Sequence, residues 1–378
     1  MKQKKYNILA IHQGFELYGS DRSFLSTLEA IKRDMPHSYL KVIIPQHGAL
    51  VSPLDKIADE LLIEDIGSVT TAYAKKHLFK SIVNIIKNSF LAKKHINAAD
   101  IIYINTIVPF GYLLAGFFTL KPFVVHVREI PSSKIASIFS FWFKISRFHL
   151  LYNSHATQKA FKYNNSEKSM VLWNGVDRLK NDYSIVSDDN LINILIIGRI
   201  NRWKGQLFFA ETFKTLPKNV QNRYKVYIVG EAPKNQSDYY DKLLNYVKEE
   251  NLDDYVIFFP FDENPSKYYT WADVVVVPST QPEPFGRIAI EAMSIGKPVI
   301  AANHGGLSEI LEDEKTGLLF NPKCHSSLSS KLILLSQIKN LKDSYYKNSL
   351  NRYEKYFTLN AYQNKFIKFI NSKLEGLK

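Results

Sequence analysis

Ile192-Asn193-Ile194-Leu195-Ile196-Ile197-Gly198-Arg199-Ile200-Asn201-Arg202-Trp203-Lys204-Gly205 opens the second half of this chain, and its reading decides the fold. A near-continuous aliphatic run followed by glycine is what a strand buried on both faces of a parallel sheet looks like. Gly198 ends that strand, and in open α/β sheets ligands bind at the carboxyl ends of strands. Arg199 and Lys204 then fall on the loop and on the start of the next helix. Two fixed cations there are suited to neutralising a diphosphate; the alternative is two surface cations at a helix start.

The same alternation of short β-rich runs and helix-length segments holds throughout. Strands are expected at Asn7–His12, Leu40–Pro45, Asp100–Asn105, Phe123–Val127, Leu150–Asn153 and Met170–Trp173. The second half offers Ile192–Gly198, Lys225–Gly230, Val256–Phe259, Val274–Pro278 and Pro298–Ala301. The polar interval Asp177–Asn190 reads as a linker between an N-terminal domain, 1–178, and a C-terminal domain, 191–359. Residues 360–378, with Phe366, Ile367, Phe369 and Ile370 among lysines, read as an amphipathic helix packing back on the body. The pattern predicts two doubly wound domains with a cleft between them.

Between Gln281 and Lys297 two carboxylates, Glu283 and Glu291, stand eight positions apart around Phe285-Gly286, before a helix-forming run. Exposed amides at a helix start attract phosphate, and ionised carboxylates hold sugar hydroxyls. The spacing predicts a loop carboxylate followed by a second one about two turns into a helix, a layout that suits a sugar nucleotide.

At 378 residues the chain can form two domains, each with its own core. The single cysteine, Cys324, excludes an intramolecular disulfide and suits a reducing compartment. No Cys/His cluster has zinc-ligand spacing. The basic start Met1–Lys5 runs into an apolar stretch too short for a signal sequence, and no run reaches the ~18 apolar residues of a spanning helix. A cytoplasmic, soluble or peripheral protein is expected. The net charge of +13 is concentrated: residues 66–160 hold twelve Lys/Arg against Asp100 and Glu129. Such a field attracts phosphates of lipid head groups, lipid-linked substrates or nucleic acid; a solvated basic face is the alternative.

The first half also opens with a strand, a glycine-bearing loop (Gln13 to Ser23) and a helix, but without GxGxxG. His126 closes the strand Phe123–Val127, where an imidazole could bond a sugar hydroxyl or serve only as a structural hydrogen-bonder. Asn303-His304-Gly305-Gly306 reads as a tight loop before a helix. In Ser132–Leu150, aromatic residues alternate with Lys134, Lys144 and Arg147, which fits insertion at a membrane interface or burial in a domain core about equally.

With these residues in place, the chain resembles the family-4 retaining glycosyltransferases of the GT-B fold. The matching segments are Tyr18-Gly19-Ser20-Asp21-Arg22, Asn174-Gly175-Val176-Asp177, Gly198-Arg199 with Lys204-Gly205, and Ala272-Asp273 with Pro278-Ser279. Glu283-Pro284-Phe285-Gly286 with Glu291-Ala292, Gly296 with Pro298-Val299, and Gly305-Gly306 complete the order. The resemblance implies that Arg199 and Lys204 grip the donor diphosphate and that Glu291 binds the ribose. Glu283 with the backbone of Phe285, Gly286, Arg287 and Ile288 would hold the donor sugar. It places Gly19 near the diphosphate and His126 near the transferring sugar. Groups near Gly230 and Phe261 would meet the base. No metal or other cofactor is implied. Tyr18 departs from the family, which often has glycine at that place.

The function expected is retaining transfer of a hexose-type sugar from a nucleotide-sugar donor, UDP- in preference to GDP-, to a lipid-linked or saccharide acceptor of cell-surface polysaccharide synthesis. Peripheral contact with an anionic membrane is expected and nucleic acid is not. A hydrolysing 2-epimerase on the same architecture is the alternative, and a non-enzymatic polyanion binder a remote one, since no nucleic-acid motif accompanies the charge.

Overall fold

The computed structural model describes residues 5–68, 76–163, 165–186, 188, 190–233, 237–337 and 341–375. The chain forms two compact units. The first comprises Met1–Asn174 together with Leu359–Lys378, and the second comprises Gly175–Thr358.

The first unit is built on seven parallel strands: β1 (Asn7–His12), β2 (Tyr39–Ile44), β3 (Glu60–Ile63), β4 (Ile101–Asn105), β5 (Phe123–Val127), β6 (His149–Tyr152) and β7 (Ser169–Val171). Their order is β3-β2-β1-β4-β5-β6-β7, so the direction of winding reverses between β1 and β4. The second unit repeats this plan with β8 (Ile192–Ile197), β9 (Tyr224–Val229), β10 (Val256–Phe259), β11 (Val274–Val277), β12 (Val299–Ala302) and β13 (Gly317–Phe320), ordered β10-β9-β8-β11-β12-β13. Its reversal falls between β8 and β11. Central strands are buried along their length: Ile101 to Asn105 and Val274 to Val277 carry no exposed residue. This double-sided burial is why they read as uninterrupted apolar runs.

Every strand expected from the sequence is present to within a residue or two. Two were missed, β3 and β13, both four-residue strands at a sheet edge. Each offers only three consecutive apolar residues, at 61–63 and 318–320, a run too brief to stand out. The interval expected as a linker is grouped with the second unit, where the Leu179 amide donates to Ser294 Oγ (3.1 Å) and the Asp182 amide to Thr270 Oγ1 (2.9 Å).

The last helix, Leu359–Glu375, returns to the first unit. Tyr362, Phe366, Ile367, Ile370 and Leu374 recur at helical spacing and are buried in the core formed with the helix Gly19–Asp34. Thr27 and Tyr362 share a hydroxyl hydrogen bond of 2.9 Å, and Arg33 donates to Gln363 Oε1 at 2.7 Å. Truncating the fully buried Phe366 to alanine would cost about 3–5 kcal/mol. The aromatic stretch 132–150 is buried in part. Phe139, Phe143 and Phe148 enter the core, whereas Ile138, Phe141 and Ile145 on the helix Ser133–Ile145 face outward.

Candidate functional site

In the second unit the chemistry gathers where the strands end. The loop after β8 carries Gly198 to Lys204, and those after β9 and β10 carry Gly230 and Phe261. Loops after β11 and β12 carry Ser279 to Gly286 and Asn303 to Gly306. Gly198 and Gly230 lie at φ +128 and +145, and a side chain on Gly230 would stand 2.0 Å from the Gly198 carbonyl. The two loops therefore meet as bare backbone, the surface a phosphate or a planar base can approach.

Lys204 and Glu283 are brought together across 79 positions of sequence. Lys204 Nζ lies 2.7 Å from Glu283 Oε1, the side chains being 15% and 5% exposed. Ser279 Oγ donates to the same oxygen at 2.5 Å. The Lys204 ammonium also stands 4.6 Å from the ring centroid of Trp203. A cation fixed in this way is aimed before any ligand arrives, so binding spends little rotamer freedom on it. Arg199 lies on the same loop and is exposed.

The Glu283 loop is held from behind by the loop after β12. The Gly306 amide donates to Glu283 O at 2.8 Å, and a side chain on Gly305, at φ +61, would stand 2.3 Å from that same carbonyl. The glycine pair read as a tight loop is thus the support of the carboxylate. His304 Nε2 meets the Ser279 carbonyl at 2.8 Å, and burial holds its imidazole below its usual range.

Gly286, at φ +115, precedes the helix Arg287–Ser294. Glu291 therefore stands one turn into the helix, not two: the left-handed glycine delays the helix start to Arg287. Its carboxylate accepts from Arg287 Nε (2.8 Å) and from the Tyr269 hydroxyl (2.8 Å). Arg287 and Ile288 are the first two residues of that helix, and Phe285, just before it, is buried with its ring 6.2 Å from that of Phe357.

In the first unit, Gly19 begins a sixteen-residue helix and is exposed. Tyr18 caps it in extended backbone (φ −78°), a conformation open to any L residue, so a glycine is not required there. The Asp21 carboxylate accepts from the Tyr18 amide at 2.9 Å and pairs with His12 Nε2 at 2.8 Å. His126 is fully enclosed. Its Nδ1 faces the Tyr103 hydroxyl (3.0 Å) and an Arg128 nitrogen (3.2 Å), while Nε2 has no partner among the described residues. Burial, then the Arg128 charge, keeps this imidazole neutral well below its usual range.

Arg128 is itself buried. It donates to Asn105 Oδ1, to Asn174 Oδ1 (2.7 Å) and to the Tyr362 hydroxyl (3.2 Å). Glu129 beside it has its carboxyl enclosed, which raises its pKa to about 7 against the amides of Arg128 and Ile107. Thr106, at φ +102°, turns the chain out of β4 next to this group. A β-branched residue in that conformation is strained, and such strain concentrates at working sites.

The sequence reading named His126 but missed the polar network that fixes it. Arg128 sat beside it in the sequence, and Asp21 and Asn174 lay inside matched segments. Tyr362 is 234 positions away and left no local signal. Ser279 and Tyr269, which position the two glutamates, were likewise unassigned. Among the described residues no group of three or more His, Cys, Asp or Glu could hold a metal ion, and no helix is long and apolar enough to cross a membrane.

Two doubly wound parallel α/β units, the second with a buried Lys–Glu pair at its strand ends, define a protein of the GT-B fold class. Residues 177–352 match the family described as "Glycosyl transferases group 1". The chain is 32% identical over 148 residues to the lipopolysaccharide 1,2-N-acetylglucosaminetransferase of Salmonella typhimurium, covering 38% of each chain. It is 26% identical over 182 residues to an N-acetylgalactosaminyltransferase of Campylobacter jejuni that acts on a diphospho-undecaprenol-linked sugar, covering 47% of each. Matches thus span well under two thirds of these curated relatives. Among solved structures, Anabaena HepE in complex with UDP and glucose aligns with TM-score 0.79 at 22% identity, over 97% of this chain and 100% of that one. Sucrose-phosphate synthase of Thermosynechococcus elongatus aligns with TM-score 0.78 at 19% identity, over 98% and 100%. At such identities these two neighbours speak for the fold.

Proposed function

We propose that the protein is a glycosyltransferase of bacterial surface-polysaccharide or lipopolysaccharide synthesis, moving a hexose-type sugar from a UDP-sugar to a lipid-linked or saccharide acceptor. The observation that carries this reading is the Lys204–Glu283 pair, held by Ser279 and backed by Gly305-Gly306 at the carboxyl ends of β8 and β11. An ammonium next to a carboxylate on one wall offers a cation to a departing diphosphate and an anion to sugar hydroxyls. The names of the Salmonella and Campylobacter relatives support the pathway, and the UDP complex of HepE supports the donor base.

In this reading Arg199 and Lys204 neutralise the charge that grows on the leaving diphosphate, so no divalent metal is needed. Glu283 and the backbone from Phe285 to Ile288 hold the sugar. Glu291, oriented by Arg287 and Tyr269, takes the ribose hydroxyls, and Gly230 and Phe261 border the base. In the first unit, Gly19 offers helix-start amides to phosphate, and His126, enclosed with its Nε2 unpartnered, is assigned to the neighbourhood of the transferring sugar. Attack and departure on the same face would retain the anomeric configuration. The reaction is placed on the cytoplasmic side of the cell membrane.

Incubation of the purified protein with UDP- and GDP-sugars and a lipid-linked acceptor, with and without EDTA, tests this reading. Chelator-insensitive appearance of glycosylated acceptor from a UDP-sugar is expected. Release of free nucleotide with an epimerised sugar would assign the protein to the hydrolysing 2-epimerases instead.

A further inference from the structure

The helix Leu78–Ala98 in the first unit is turned inside out. Its buried residues are Ser81, Asn88, Ala92, His95 and Ile96, mostly small or polar. Small groups make its seat: a side chain on Gly111 would stand 2.9 Å from Asn88 Cβ, and His95 Nδ1 meets the Tyr112 hydroxyl at 2.8 Å. The opposite side carries Phe79, Ile82, Val83, Ile86 and Phe90, which at helical pitch fall within an arc of about 100°. All five are exposed, Phe79 by 79% and Phe90 by 72%. A monomer rarely leaves a contiguous apolar stripe of this kind uncovered.

Charge says what covers it. Lys80, Lys87 and Lys94, spaced seven apart, run along one edge of the stripe, and Lys93 joins them at its end; all four are exposed. No aspartate or glutamate occurs anywhere in the helix. At the helix's C-terminal end, Lys121 Nζ bonds the Asn97 carbonyl (2.6 Å) and that of Ala99, tying down a turn that exposes Phe118 and Leu120. An apolar stripe flanked along one edge by lysines, on a helix without carboxylates, matches a surface that is apolar at depth and anionic at its rim, namely a bilayer containing acidic lipids. An acidic protein groove would leave the most exposed phenylalanines facing carboxylates.

We propose that the helix Leu78–Ala98 is a membrane-docking element that lies in the interfacial plane of an anionic bilayer, with Phe79, Ile82, Val83, Ile86 and Phe90 inserted and the lysines on phosphate head groups. The proposal stands apart from the donor chemistry of the second unit, and its test uses no nucleotide.

Co-sedimentation of the full-length protein with phosphatidylcholine vesicles, with and without phosphatidylglycerol, tests it in low and high salt. The wild type is expected to bind the phosphatidylglycerol vesicles only, and less in high salt. Phe79→Ser/Phe90→Ser and Lys80→Glu/Lys87→Glu should each weaken that partition at least tenfold. Both pairs are exposed, and unchanged circular dichroism and urea midpoints would confirm that the variants fold. Failure of the wild type to bind, or either folded variant binding as the wild type does, overturns the proposal. So does a wild-type dimer in sedimentation that the phenylalanine variant abolishes while vesicles bind neither, because the stripe would then be covered by a second copy of this chain.

Discussion

The Lys204–Glu283 pair allows a quantitative test in the absence of any ligand. At 2.7 Å and with both side chains largely buried, the Coulomb attraction is about 6 kcal/mol at an effective dielectric constant of 20. The cost of desolvating two ions offsets much of this, leaving a coupling of about 2–4 kcal/mol. Glu283→Gln keeps an acceptor for Ser279 but strands the ammonium, and Lys204→Met strands the carboxylate. Each single variant should lose about 3–5 kcal/mol of stability, because an unpaired buried charge remains. The double variant leaves no buried charge and should be no less stable than the worse single one. Equilibrium urea unfolding of the four proteins completes the cycle. Losses that add to within about 0.5 kcal/mol would show the two groups to be independent and would refute the reasoning.

Two further outcomes follow from the same structure. Gly305→Ala should cost at least ~2 kcal/mol and weaken donor binding, since the added carbon would meet the Glu283 carbonyl at 2.3 Å in a left-handed backbone; urea unfolding and nucleotide titration read the two effects. Acid should destabilise the fold. His149 is held down to about 4 by burial and then by Lys373 and Lys168, and burial also holds His126 and His304 below their usual range. As pH falls through the unfolded-state value of about 6.5, the unfolded chain takes up protons that these folded histidines refuse, so stability falls toward pH 4. Glu129, raised to about 7, works the other way, keeping its proton in the fold above pH 4.5 and subtracting stability as pH rises to 7. Urea midpoints at pH 5 and 7.5 should show His149→Gln flattening the acid loss.

The parts of this molecule that a sequence discloses are those set by local pattern. Strands such as Val274–Val277 are buried on both sides and write their burial as an unbroken apolar run. Gly198, Gly286 and Gly305 mark backbone at positive φ in the loops that follow strands, and the Glu283 segment stood out by its two carboxylates eight positions apart around one of them. What stayed hidden depends on distant partners. Arg128 rests on Asn105, Asn174 and Tyr362, and no window of sequence spans them. Glu291 was placed a turn too deep because a helix start is fixed by the conformation of one glycine. The helix Leu78–Ala98 shows another limit: its period is helical, yet its apolar face points outward, and periodicity carries no sign for inside and outside.

Isothermal titration of UDP into the wild type and into Lys204→Met tests the central claim most directly, because it asks whether the strand ends of the second unit bind a nucleotide diphosphate through this ammonium. Loss of a charge-assisted phosphate contact worth about 1.5–3 kcal/mol corresponds to roughly ten- to a hundredfold weaker binding, and that is the result expected for the variant. A wild type that takes up no UDP, or a folded Lys204→Met protein that binds it as tightly as the wild type, would contradict the account.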